Sequence, residues 1–260
     1  MKIGIIAIAK QEELYIKEWI DYHLDKGFSS IIIADNDDTL VLAPYSSDKV
    51  IIEDYTGVEG VQSKAYTELF AKYNGDFDWI LFLDVDEFFT TEDGRSVEEF
   101  ISSLPQSVDM IRLNCVHFDD NNELDVVDGN YSVLTRFTNE VKTSKDTFMK
   151  TFLNCRTDIR EEKIYGHGVY NKRLSAINAE GVPCGSERRS KEMCRKVAWI
   201  RHYRTLTIGE YIRHKYFRGG ANRNPYRYTA WRHYFSVTNK LTDEKVKYAE
   251  RLIDEMSRNQ

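Results

Sequence analysis

The sequence is short of the features that mark several common classes of protein. It has 4 prolines and 4 cysteines in 260 residues. The cysteines, Cys115, Cys155, Cys184 and Cys194, include no Cys-x-x-Cys pair. So few thiols cannot staple a chain of this length, and a zinc knuckle lacks its spacing, so reduced and mostly buried thiols are expected. No apolar run approaches the about 18 residues of a membrane-spanning helix; the longest are 4–9 and 79–83. No internal repeat and no low-complexity linker divides the chain, which predicts one compact unit over 1–260. The first apolar run is followed at once by Glu12 and Glu13 rather than by a small-residue cleavage site. That points to a buried strand and a cytoplasmic protein.

An excess of positive charge is also lacking: 36 Lys and Arg stand against 42 Asp and Glu, a net charge of −6. General nucleic-acid binding calls for a basic domain and is therefore not expected. The basic residues are unevenly spread. They crowd between Arg188 and Arg232, with Glu187, Glu192 and Glu210 as the acids in or beside the stretch. Such a cluster attracts anions. A phosphate-bearing small molecule fits it, as does a peripheral contact with the inner face of a membrane.

What is present is an alternation of strand and helix patterns. Residues 2–9 are almost continuously apolar, as in a strand buried on both faces. Residues 12–26 switch to helical spacing, with Ile16, Ile20 and Leu24 four apart and Tyr15 and Trp19 alongside. Gly27 stops that helix. Further strands are predicted at 30–34, 49–54 and 78–83, with a helix over 62–73 between the last two. This order implies parallel strands joined by right-handed crossovers, an α/β fold. Ligands of open parallel sheets sit at the carboxyl ends of the strands. Polar clusters at 10–13, 35–38 and 84–87, together with Asp54, fall at those ends. Beyond them, Ser96-Val97-Glu98-Glu99 reads as a capping box opening a short helix. Segments 110–118, 132–137 and 150–155 read as strands, and 154–196 as mostly loops and short strands. Thr207-Ile208-Gly209-Glu210 is a second capping box, opening a helix that Gly219-Gly220 ends, and 242–258 is a last amphipathic helix.

The chemistry concentrates at Asp84-Val85-Asp86, directly after the fourth strand. Alternate residues of an extended chain point the same way, so Asp84 and Asp86 can share one hard cation. Mg²⁺ or Mn²⁺ suits such oxygen ligands and leaves room for diphosphate oxygens.

Several segments together resemble a known family. They are Lys10-Gln11-Glu12-Glu13 with Tyr15-Ile16-Lys17-Glu18-Trp19, Gln62-Ser63-Lys64-Ala65-Tyr66, and the run from Trp79 to Phe88 that contains Asp84-Val85-Asp86-Glu87. Asp120-Asn121 with Arg136-Phe137, and His202-Tyr203-Arg204 with Glu210-Tyr211, Lys215 and Arg218-Gly219, complete the set. In this order they resemble the family 2-type glycosyltransferases of the GT-A fold, most nearly the branch related to family 92. Gln11 stands where that family usually has asparagine, and His117-Phe118-Asp119 where an aromatic residue and a glycine are more usual.

The resemblance implies a Rossmann-like GT-A nucleotide-sugar-binding fold with a mixed central sheet and C-terminal helices. It implies a nucleotide-sugar-binding half over 1–115, an acceptor half over 116–205 and C-terminal helices over 206–260. It also implies roles. Asp84 and Asp86 would bind the metal and diphosphate, with His202 as a further metal ligand and His167 as its rival. Asp35 would face the nucleoside. Lys10, Asp54, Gln62, Lys64, Lys215 and Arg218 would line the donor site. Asp120 would take the proton from the acceptor hydroxyl, with Glu87 and Asp119 as alternatives. The implied reaction moves a sugar from a nucleotide sugar, UDP-linked by analogy, to a saccharide or lipid-linked acceptor in cell-surface polysaccharide synthesis, with inversion.

Two other classes share parts of this pattern. A metal-dependent nucleotidyltransferase has the same sheet and acidic pair, but usually a glycine-rich basic loop early in the chain, where Lys10-Gln11-Glu12-Glu13 has no glycine. A non-catalytic carbohydrate- or nucleotide-binding protein would suit the 16 tyrosines and 4 tryptophans.

Overall fold

The structure is a computed structural model, and it describes residues 1–127, 129–141, 147–159, 162–217, 231, 234–237 and 239–258. The chain runs β1 (Ile3–Ala9), α1 (Ile16–Asp25), β2 (Ser30–Asp35), β3 (Val50–Asp54), α2 (Gln62–Tyr73), β4 (Trp79–Asp84) and β5 (Glu87–Thr91). It continues with α3 (Val97–Ser102), β6 (Met110–His117), α4 (Val133–Arg136), β7 (Met149–Asn154), β8 (Ala176–Asn178), β9 (Pro183–Cys184) and β10 (Ala198–His202). The helices α5 (Ile208–Tyr211), α6 (Tyr234–Val237) and α7 (Asp243–Arg258) follow. Among the described residues no helix is long and apolar enough to cross a membrane.

Two compact units divide the chain. The first holds Met1–Val116 and Thr143–His202, the second His117–Lys142 and Tyr203–Gln260. The first unit carries the sheet up to Val116 of β6, in the order β3-β2-β1-β4-β7-β6-β10-β5, with β8 beside β6 and β9 beside β8. Strands β1 to β4 are parallel, and β7 runs antiparallel to both β4 and β6. The fold is therefore α/β with a mixed central sheet.

The parallel half forms because its strands are apolar on both faces. Ile5, Ile6, Ile32, Ile33, Leu81 and Phe82 are fully buried. Helix α2 turns Ala65, Tyr66, Leu69 and Phe70 onto the cluster built around Ile6, Ile32, Ile80 and Phe82. Helix α1 buries Ile16, Trp19, Ile20 and His23. Its Trp19 donates from Nε1 to the carbonyl of Glu87 at 2.7 Å, and Tyr22 donates from its hydroxyl to Phe89 at 2.8 Å, which ties β5 to this helix.

His23 gives this packing a pH dependence. Nδ1 donates to the Trp19 carbonyl (2.8 Å), so Nε2 is left to accept the N–H of Phe89 (3.2 Å). Only the neutral ring can make both bonds. Burial pushes its pKa down to about 3 from 6.5. The unfolded chain therefore binds a proton that the folded chain refuses between about pH 6.5 and 3. The stability that the neutral ring contributes is complete above pH 6.5 and is lost as the pH falls, by up to about 1.4 kcal/mol per unit. Urea unfolding of wild type and His23→Gln at pH 7 and pH 5 tests this. The wild type should lose more stability on acidification than the variant, and equal losses would sink the assignment.

Several elements differ from the sequence expectation. Segment 132–137, with its β-branched and aromatic residues, predicts a strand, yet Val133–Arg136 is one helical turn. The turn lets Arg136 reach Glu210 through two 2.9 Å bonds and Glu123 through one of 3.0 Å, all within the second unit. A buried bidentate pair outweighs a weak strand preference. The predicted helix after Thr207 does begin with its capping box. It leaves α-geometry after Tyr211 and runs as a π-helix over Ile212–Phe217. The glycine pair 219–220 expected to end it lies outside the described residues. Segment 154–196 holds loops and the short strands β8 and β9, in agreement with its sequence pattern. Strands β5 and β10 had no separate signal.

The second unit is built on Ile208, Tyr211, Ile212, Tyr234 and Ala249, which form one buried cluster. Phe118 stacks on Tyr203 with ring centroids 4.9 Å apart. The carboxylate of Asp125 accepts from Arg213 and Tyr248.

Candidate active site

The sheet order places a topological switch between β1 and β4. The chain moves from β1 outward to β2 and β3, then returns to lay β4 on the other side of β1. At such a switch point the loops that leave neighbouring strands turn opposite ways, and ligands of open parallel sheets bind at the strands' carboxyl ends. Asp84 is the last residue of β4, and Glu87 is the first of β5. Between them Val85 and Asp86 make a turn, closed by the amide of Asp84 donating to Glu87 Oε2 at 2.9 Å.

Two antiparallel neighbours complete the cluster. In the β4–β7 ladder Leu81 pairs with Phe152. The same register carries Lys150 alongside the end of β4. Its ammonium lies 2.8 Å from Asp84 Oδ2 and 2.6 Å from Glu87 Oε2. In the β10–β5 ladder His202 pairs directly with Glu87. Its Nε2 stands 3.5 Å from Asp86 Oδ1 and its Nδ1 3.7 Å from Glu87 Oε1. Asp84 is further braced from α2, where Gln62 donates to Oδ1 at 2.6 Å and the Tyr66 hydroxyl donates to the same oxygen at 3.1 Å.

The electrostatics follow from burial and sign. Lys150 is 1% exposed and Glu87 is fully buried, whereas Asp84 keeps a third of its side-chain surface. Burial alone would lower the Lys150 pKa, but Asp84 and Glu87 hold it above the ordinary lysine range. Burial pushes Asp84 up, and the Lys150 ammonium more than reverses that, so Asp84 lies below the usual carboxylate range. Glu87 is pushed up to about 8 by burial, against the pull of Lys150.

This donor set fits a divalent cation. Single ligand atoms of Asp84, Asp86 and Glu87 all lie within 4.8 Å of one another, as do those of Glu87, Cys115 and His202. Glu87 Oε1 is buried and makes no hydrogen bond among the described residues. Three carboxylates (Asp84, Asp86 and Glu87) and one ammonium (Lys150) sum to −2 when all are ionised, the charge a divalent cation balances. Two ligands on one cation at about 2.1 Å stand some 3 to 4 Å apart, the range of the His202–Asp86 approach.

The remaining predicted site residues have varied placements. Gln62 joins the cluster. His167 lies outside it, with its ring on Phe148 at 4.9 Å and Nδ1 3.1 Å from the Met149 carbonyl. Asp35 is fully buried at the end of β2, where its oxygens accept the amides of Asp37 (3.2 Å) and Leu42 (2.8 Å). It shapes the loop that carries it. Gln11 takes a left-handed conformation (φ 52°) and turns its amide onto Asp37 at 2.9 Å. Lys10 lies beside it, half-buried. Asp54 is exposed and accepts from the amide and hydroxyl of Thr56. Lys64 is exposed and 3.9 Å from Glu68. Asp120 and Asp119 belong to the second unit. Asp120 is buried there, accepting from the Tyr234 hydroxyl (2.5 Å) and the Asn122 amide (3.0 Å) and paired with Lys245. Lys215 donates to the carbonyl of Arg204, also in the second unit. Arg218 lies outside the described residues. Lys150 and Cys115 escaped the sequence reading, because each sits inside a segment that reads only as a strand.

No family model matches the chain, and no curated protein does. Among solved structures it is similar to CMP:2-keto-3-deoxy-manno-octonic acid synthetase complexed with CTP, with 12% identity over 60% of this chain and 75% of that one, at a TM-score of 0.34. It is similar also to the bifunctional IspDF from Campylobacter jejuni, with 8% identity over 60% of this chain and 42% of that one, at a TM-score of 0.30.

Proposed function

We propose that this chain is a metal-dependent transferase acting on a nucleotide-diphosphate substrate, and more finely a glycosyltransferase that uses a nucleotide sugar. The observation that carries the proposal is the cluster of Asp84, Asp86, Glu87 and His202 at the switch point between β1 and β4. A bound Mn²⁺ or Mg²⁺ would neutralise charge on a departing diphosphate as a Lewis acid. Asp86, His202 and Glu87 would hold it, and the partly open Asp84 would face it. Lys150 is too deep to touch a ligand; it keeps the carboxylates in place. Lys10 and Lys64 are the first unit's candidates for diphosphate contacts, and Asp120 of the second unit is the proposed base.

The cluster addresses the diphosphate and not the sugar, so nucleotidyl transfer is the second reading. The loop after β1 weighs against it. It has no glycine, and its Gln11 amide is turned onto Asp37, where a phosphate cradle would leave amides open. The product separates the two. A glycosyltransferase releases UDP from a UDP-sugar, and a nucleotidyltransferase releases pyrophosphate from a nucleoside triphosphate. A binding protein releases neither.

The first test is thermal stabilisation by a panel of nucleotide sugars with and without Mn²⁺. A ligand at a hundredfold its Kd stabilises the folded state by about 2.7 kcal/mol, a rise of roughly 5–10 °C for a chain of this size. The rise should require Mn²⁺ and vanish in Asp86→Ala. No rise with any nucleotide in folded wild type would sink the transferase reading.

A further inference from the structure

Beside the metal cluster lies a wall of aromatic rings and arginines. Alternate residues of an extended segment face one side, so Phe148 shares a face with Lys150, whose ammonium reaches Asp84. The Arg188 guanidinium lies 4.7 Å and that of Arg189 4.0 Å from the Phe148 ring centre. The segment is fixed by backbone pairing, with Ser190 N donating to the Thr147 carbonyl at 3.0 Å and an isolated bridge joining Phe148 to Arg189. From β6, the buried Arg112 donates to the carbonyls of Ser186 (3.2 Å) and Glu187 (2.7 Å), which anchors the approach to both arginines. His167 stacks flat against Phe148, with 13° between the planes. It belongs to the turn that also carries Tyr165, and Tyr165 stacks on Tyr170 at 5.1 Å. Gly168 of this turn has φ +109°, and a Cβ there would strike Thr151.

Three properties set this wall apart from an ordinary basic surface. Arg188 and Arg189 are both exposed, and among the described residues neither has a carboxylate within ion-pair distance. The ring orders both guanidinium groups without neutralising them. The paired tyrosine rings, each exposed, offer the flat apolar face on which a sugar ring stacks. Guanidinium forks match carboxylate and phosphate geometry.

We propose that this wall is a subsite for a saccharide bearing its own anionic group, a carboxylate or a phosphate, with Arg188 and Arg189 on the charge and Tyr165 and Tyr170 on the ring. It rests on the transferase reading, which supplies the reason for a saccharide beside the metal cluster. The charge belongs either to the transferred sugar or to the acceptor, and both present the same group to the arginines.

Calorimetric binding to the full chain with Mn²⁺, wild type against Arg188→Ala/Arg189→Ala, tests it. The donor arm compares UDP-glucuronic acid with UDP-glucose. The acceptor arm compares glucuronic acid and glucose 6-phosphate with glucose, with and without UDP. In one arm the anionic ligand should bind about tenfold more tightly than its neutral counterpart, and the double variant should reduce that ratio to about twofold or less. UDP alone should bind both proteins equally. A preference in the donor arm places the charge on the transferred sugar, and one in the acceptor arm places it on the acceptor. Equal affinity for acidic and neutral ligands in both arms overturns the proposal. So does an equal loss of UDP itself, which would make the arginines diphosphate ligands. If wild type binds no UDP, the transferase reading falls separately. The arm without nucleotide then decides the subsite by the same ratio, and Tyr165→Ala/Tyr170→Ala should weaken acidic and neutral saccharides alike.

Discussion

Replacing Lys150 by methionine is expected to lower stability by about 3–5 kcal/mol, the usual cost of stranding one partner of a buried pair. It should also make the remaining stability depend on a divalent cation. Methionine matches the length of the lysine stem, so packing changes little. What changes is charge. Glu87 is fully buried and loses the ammonium 2.6 Å away, and Asp84 loses one at 2.8 Å. With the ammonium gone, the three carboxylates sum to −3. Glu87 already stands at about 8, and it can relieve its isolation by taking a proton. The loss should therefore be smaller at pH 5, where Glu87 is neutral, than at pH 8. Urea unfolding of wild type and variant, in EDTA and in excess Mn²⁺, measures all of this. Mn²⁺ should recover more stability in the variant than in wild type, because a cation then takes over the charge that Lys150 balanced. A variant as stable as wild type in EDTA would show that the pair is not what holds the cluster. Equal gains from Mn²⁺ would detach the cation from these carboxylates.

The parallel half was legible because its signals are local. The apolar run ending at Ala9, the four-residue spacing of Ile16, Ile20 and Leu24, and the run ending at Asp84 each predict their element without help from the rest of the chain. The order of those elements implies parallel pairing, and the structure has it. Elements whose shape is decided at a distance were not legible. Nothing near Arg136 says that its guanidinium will be drawn to Glu210, 74 positions away, and that bond sets the turn at 133–136. Glu87-Phe88-Phe89-Thr90-Thr91 is short and begins with an acid, so it merged with the polar cluster before it. Its identity as a strand depends on β10, more than a hundred residues later.

The candidate site divides along the same line. Asp84 and Asp86 stand out by their place at the end of a buried strand. His202, which only the resemblance singles out, and Lys150, which nothing does, come to them through antiparallel ladders whose register the sequence does not print. A lysine opening an apolar run reads as a strand end facing water. Here two carboxylates make its burial tolerable, and both are more than sixty residues away. Asp35 carries two signals at once: the resemblance implies a nucleoside contact, while its Asp-Asn-Asp-Asp string favours a turn, and its oxygens accept the loop's own amides.

Asp120→Ala is expected to cost about 3–5 kcal/mol as well, and the variants built on it separate a brace from a base. Asp120 and Lys245 are each 3% exposed in their side chains and form an ion pair within the second unit. The Tyr234 hydroxyl donates to the same carboxylate. Burial, with Asp120 beside it, pushes that hydroxyl well above the ordinary phenol range, so it stays a donor. Alanine at 120 strands the ammonium of Lys245 in a dry setting. Lys245→Met in the same chain removes the stranded charge, so the double variant should recover most of the lost stability, and urea unfolding of the four proteins in the cycle gives the coupling directly. Transfer activity need not follow. A carboxylate that takes the acceptor's proton contributes about 10²–10⁴ in rate, and repairing the charge balance cannot restore that. If Asp120 is the base, the double variant should be stable and still slow by that factor, with UDP affinity unchanged. A double variant that regains both stability and rate would make Asp120 a brace of the second unit and move the search for the base to Glu87.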